Sequence, residues 1–151
     1  MNKAQHITAI FLIGISSFNI NTHAQSMQSE EAKIFYKNVF KHTVENMQAT
    51  KKDYAQYFAK DFVMYMNGKT YFFDDYVQFM LNLQKTTKSV NIYFKEMISE
   101  DNNVSTVHTN HIKNKNGSEI ELAVLSFFKI ESNKFISGYE LTRITSEALY
   151  D

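Results

Sequence analysis

Four strand-like runs follow one another through the second half of this chain: Val90–Ser99, Val104–Lys113, Glu119–Ile130 and Lys134–Thr145. Short polar stretches separate them: Glu100-Asp101-Asn102-Asn103, Asn114-Lys115-Asn116-Gly117 and Glu131-Ser132-Asn133. Runs joined this way pair as antiparallel neighbours, so the pattern predicts a β-meander. A meander with one apolar face must bury that face, and only the helix-rich half before it can supply the cover. Within Glu119–Ile130 the faces are explicit. Ile120, Leu122, Val124, Ser126, Phe128 and Ile130 share one side and should face the core. Glu119, Glu121, Ala123, Leu125, Phe127 and Lys129 share the other, which is apolar only at its centre. Partial cover is expected there, and sheet-on-sheet packing in a homodimer is one route to it.

Before the meander, residues 26–49 read as a first helix, with Ile34, Phe35, Val39, Phe40, Val44 and Met47 near helical spacing and Ser29 as a cap. Lys33, Lys37 and Glu45 fall on its wet side. A short second helix is predicted over Lys52–Ala59. Residues 61–66 then alternate, and Asn67-Gly68 is a strong two-residue hairpin signal, with Lys69–Phe73 as the returning arm. Asp74 would cap a third helix running to about Thr87, with Val77, Met80, Leu81 and Gln84 on one side.

At the N-terminus, residues 1–24 have the three parts of a secretory signal. Lys3 provides the charge, Ile7–Phe18 the apolar stretch and Thr22-His23-Ala24 the small-residue cleavage site. The mature protein is then residues 25–151, a single domain with one net negative charge, because the leader takes one Lys from a balanced set of 16 basic and 16 acidic residues. That balance gives no electrostatic footing for nucleic acid. The leader and the absence of cysteine point to a bacterial periplasmic or secreted protein held together by burial alone, with no membrane association after cleavage. Thiol chemistry is excluded. Aromatics are abundant, with 13 Phe and 9 Tyr, which suits a large core or a pocket with aromatic walls.

Tyr57-Phe58-Ala59-Lys60-Asp61-Phe62-Val63 entering the Asn67-Gly68 hairpin resembles the nuclear transport factor 2-like superfamily, and within it the SnoaL-like group. Gly117-Ser118-Glu119 leading into Phe127-Phe128-Lys129-Ile130, and Gly138-Tyr139-Glu140-Leu141-Thr142-Arg143, carry the same likeness, which spans roughly residues 30–146. The resemblance implies an α+β fold: a cone-shaped curved antiparallel sheet wrapped around N-terminal helices, in the manner of a cystatin-like α+β barrel, with a pocket at the open end. Such proteins include ketosteroid isomerase, polyketide cyclases, dehydratases and members with no chemistry, so the fold does not choose a function.

Isomerase or cyclase chemistry needs a carboxylate base and a donor for the developing oxyanion. Glu140 is the base candidate, mid-strand among Ile136, Gly138, Thr142 and Ile144 of its own parity. His108 is the second catalytic candidate, sharing parity with Val104, Thr106, Asn110 and Ile112. Tyr65, Thr106, Thr142 and Ser126 are the ligand-binding candidates. His108 and His111 are three apart and fall on opposite faces of a strand, so they form no metal pair; neither metal nor cofactor is implied. Arg143 has the opposite parity to Glu140. The Asp base and Tyr–Asp donor pair of ketosteroid isomerase find no counterpart here, since Asp61, Asp74 and Asp75 sit at element starts. The leading reading is an exported domain binding a small apolar or aromatic molecule. A pocket isomerase, cyclase or lyase is the alternative, and a protein-interaction module docking through its sheet is a third.

Overall fold

The computed structural model describes residues 29–148. The leader, with its expected cleavage site, lies outside the described residues. Three helices precede most of the sheet: α1 (Ser29–Thr43), α2 (Lys51–Tyr57) and α3 (Phe73–Thr86). The strands are β1 (Phe58–Met66), β2 (Lys69–Phe72), β3 (Thr87–Glu100), β4 (Asn103–Asn114), β5 (Glu119–Glu131) and β6 (Lys134–Ala148). They form one curved six-stranded sheet in the order β2-β1-β6-β5-β4-β3.

The meander is as the turn signals predict, with antiparallel pairs β3–β4, β4–β5 and β5–β6. The sheet as a whole departs from the expected antiparallel barrel in two ways. It is open, not closed, and it is mixed, because β6 runs parallel to β1 with Met64 opposite Gly138 and Met66 opposite Glu140. The Asn67-Gly68 hairpin sends β2 back along β1, and α3 then carries the chain across to the far edge. The meander returns from that edge, so its last strand meets β1. Asn67 and Gly68 take positive φ angles of 49° and 77°, as a tight two-residue reversal requires.

Several boundaries also differ from the sequence reading. The first helix ends at Thr43, short of Ala49; the Thr43 hydroxyl donates back to the Val39 carbonyl (2.7 Å), and Asn46 then organises a turn through its side chain. Glu45, expected on the wet side, accepts the Ile92 backbone N–H at 2.8 Å. The second helix gives way to strand at Phe58, not Ala59. Its start is fixed by Asp53, whose carboxylate accepts from the Thr50 N–H (2.8 Å) and hydroxyl (2.7 Å). Asp74 lies inside the first turn of α3, paired with Lys51 at 2.9 Å, rather than capping it. The buried face of α1 is Ala32, Tyr36, Val39, Phe40 and Thr43, and Ile34 is 65% exposed.

The narrow end of the sheet's concave face is packed solid by aromatic residues. Tyr36 and Phe40 of α1 stack at 4.3 Å and meet Phe128 and Phe135 edge-on, while Phe58, Phe62 and Met64 of β1 close the layer. Gly138 is required here: a Cβ at that position would come within 2.7 Å of both Met64 Sδ and Phe128 Cε1. The broad end, between α3 and strands β4 to β6, is not filled.

Candidate functional site

The unfilled end is an open cavity of about 460 Å³. Apolar side chains form most of its wall, from Phe40 on α1 through Phe79 and Met80 on α3 to Ile120 and Leu122 on β5. The exposed Leu83 and Ile144 mark its mouth. Size and lining are those of a small-molecule site. Among the described residues no lysine, arginine or histidine lines it, and Glu140 is its one acidic residue.

Strand alternation decides which candidates reach this space. On β6, Glu140, Thr142 and Ile144 point in, while Tyr139, Leu141 and Arg143 point out. Glu140 has no hydrogen-bond donor or cation paired with its carboxylate among the described residues. Burial away from water therefore raises its pKa from 4.5 to about 7. Thr142 also lines the cavity, with its hydroxyl accepting from Asn67 Nδ2 (2.7 Å) and its N–H donating to Asn67 Oδ1 (2.9 Å). Tyr65 is a correction. It lies on the outer face, 39% exposed, with its ring stacked 4.5 Å from that of Tyr139, because Phe62, Met64 and Met66 take the inward positions of β1.

Thr106, Ser126 and Glu140 stand in one row across β4, β5 and β6 on the concave side. Thr106 and Ser126 do not line the cavity. Their hydroxyls form a buried chain behind it: Tyr36 OH to Ser126 Oγ (2.7 Å), Ser126 Oγ to Thr106 Oγ1 (2.8 Å) and Thr106 Oγ1 to His108 Nδ1 (2.8 Å). Each contact joins groups that can donate or accept, so the chain can run in either direction, with the His108 proton on Nε2 in one and on Nδ1 in the other.

His108 is 1% exposed between the rings of Phe40 and Phe94, and burial pulls its pKa down to about 4, so it is neutral at pH 7. Its Nε2 is enclosed without a partner, as is Oδ1 of Asn110 two residues along the same face. Asn110 lines the cavity. His111 is on the outer face, 3.0 Å from Glu121, and no group of three His, Asp or Glu among the described residues is placed to hold a metal.

Sequence reasoning missed two phenols. Tyr36 anchors the polar chain. Tyr76 lines the cavity beside Glu140, its hydroxyl without a hydrogen-bond partner among the described residues; burial above all, then Tyr54 and Glu140, pushes that phenol well above its ordinary pKa. Both were signalled by helical spacing. Ala32, Tyr36, Val39, Phe40 and Thr43 recur at three, four and seven, as do Phe73, Tyr76, Val77 and Met80.

No protein-family model matches the chain, and no curated protein is significantly similar to it in sequence. Solved structures do match. AclR, a candidate hydroxylase from Streptomyces galilaeus, superposes with a TM-score of 0.66 at 12% identity, covering 76% of this chain and 90% of its own. A candidate SnoaL-like polyketide cyclase from Shewanella denitrificans gives 0.64 at 11% identity, over 74% of this chain and 90% of its own. The fold is that of the nuclear transport factor 2-like superfamily. An LEH-like epoxide hydrolase from M. tuberculosis shares this nuclear transport factor 2-like fold, with a TM-score of 0.64 at 11% identity, covering 78% of this chain and 86% of its own. No helix among the described residues is long and apolar enough to cross a membrane.

Proposed function

We propose that this chain is an exported small-molecule-binding protein of bacterial periplasm or secretions, taking a largely apolar or aromatic guest into the open end of its cone. The observation that carries the reading is the open apolar cavity with an unpaired carboxylate, Glu140, in its inner wall. A folded protein that leaves a desolvated carboxylate facing empty space forgoes stability there, and such placements cluster at functional sites. On the outer face, Ile98, Val107, Leu125, Phe127, Tyr139 and Leu141 form an exposed apolar patch, which supports assembly as a homodimer.

Native mass spectrometry of the protein purified from its own host tests the reading. A retained small molecule that is lost on blocking the cavity by Leu122→Trp supports it. Repeated recovery of the bare chain, together with no thermal shift from any member of an apolar and aromatic compound library, would refute it.

One observation favours a second reading, a pocket isomerase, cyclase or lyase. Glu140 has a pKa suited to a general base near neutrality, and the Tyr76 phenol beside it stays protonated and able to donate. Tyr76 offers a phenol within the cavity, which Tyr65, a ligand-binding candidate from the sequence, does not reach. Turnover of a bound compound that falls at least about a hundredfold in Glu140→Gln would support this reading.

A further inference from the structure

We infer that the guest is an organic cation, a protonated amine or quaternary ammonium carried on an apolar body. The inference rests on the small-molecule reading above and names the ligand class.

Three features of the cavity point the same way. First, charge balance within it is one-sided: among the described residues Glu140 is the only acid in the lining, and no lysine, arginine or histidine accompanies it. An anionic ligand such as a carboxylate or phosphate would enter an apolar space against that charge with no cation to meet it. Second, the carboxylate accepts no hydrogen bond from the described residues. Its neighbours across the sheet are Ser126, whose hydroxyl is committed to Tyr36 and Thr106, and Met66, which has none to give. A ligand N–H⁺ would supply the missing donor, and a charge-assisted bond in a water-poor cavity is stronger than a neutral one. Third, the same wall carries aromatic side chains. Phe40, Tyr54, Tyr76 and Phe79 all line the cavity, and ring faces attract a cation through their quadrupoles. The phenol of Tyr54 is turned away to the Thr43 carbonyl at 3.2 Å, so it offers its ring and not its proton. A carboxylate and aromatic rings lining one cavity, with no lysine, arginine or histidine among the described lining residues, suit an ammonium group on a hydrophobic body.

The test uses three probes that share a ring system and differ in charge: naphthylmethylammonium, naphthylmethanol and naphthoate. Binding to the full mature chain is measured by calorimetry near pH 8, where the amine is still largely protonated and Glu140 is ionised. The expected result is that the ammonium binds about tenfold or more tighter than the alcohol, and that naphthoate does not bind. Glu140→Gln should lose that preference while still binding the alcohol, which shows that its cavity is intact. Tighter binding of the alcohol than the ammonium, or a preference that survives in Glu140→Gln, overturns the inference and leaves the small-molecule reading standing. Failure of all three probes to bind also overturns the inference, and the small-molecule reading is then decided by the mass spectrometry and compound library above.

Discussion

Replacing Glu140 by glutamine is expected to stabilise the protein at alkaline pH and to leave it unchanged in acid. The carboxyl is protonated more readily in the folded chain than in the unfolded one, with a pKa of about 7 against an ordinary 4.5. Between those values the folded state holds the extra proton, so wild-type stability falls as pH rises through the window and stays low above it. Each pKa unit corresponds to about 1.36 kcal/mol, giving an upper figure of about 3 kcal/mol, and solvent reaching the cavity reduces it to about 2. His108 works in the opposite sense. Its folded pKa of about 4 lies below its ordinary 6.5, so it contributes stability that is lost as pH falls from 6.5 toward 4. The windows overlap, and the two slopes largely cancel in the wild type between about pH 4.5 and 6.5. The variant uncovers the histidine limb. Urea denaturation of both proteins at half-unit steps from pH 4 to 8 gives the difference curve directly. It should start near zero in acid and rise to about 2 kcal/mol in favour of glutamine by pH 8. A flat difference, or a glutamine variant less stable at pH 8, would refute the claim that Glu140 is desolvated and unpaired.

Other consequences can be checked separately. Gly138→Ala should cost about 1–3 kcal/mol in denaturant titrations, because the added methyl meets Met64 and Phe128 at 2.7 Å in a packed layer. Tyr36→Phe removes the phenol from the buried hydroxyl chain and should cost about 1 kcal/mol in denaturant titrations. The homodimer proposed above should give way to a monomer in sedimentation on Leu125→Glu with Leu141→Glu, without a change of fold, since both side chains are exposed on the outer face, at 55% and 63%.

The strand runs and the Asn67-Gly68 turn made the meander and hairpin legible, because alternation and positive-φ residues are local signals. Parity grouped Glu140 with Thr142 and His108 with Thr106, but which group faces inward is decided by the curvature of the sheet round the helices, which no single strand encodes. Tyr65 falls outside because it has the opposite parity to Phe62 and Met64, which the core takes. The parallel pairing of β1 with β6 had no local signal at all, since the two strands are distant in the chain and either neighbour order satisfies the same alternation. The hydroxyl chain was equally invisible. It depends on a helical phenol meeting three strand residues across the core, which no spacing within one element encodes.

The position of β6 at the middle of the sheet has a kinetic corollary. The sixth strand is the keystone that joins the hairpin to the meander, so the sheet cannot be completed until β6 docks between β1 and β5. Contacts this distant along the backbone form slowly. Truncation before β6 would leave two separate pieces with exposed edges prone to aggregate.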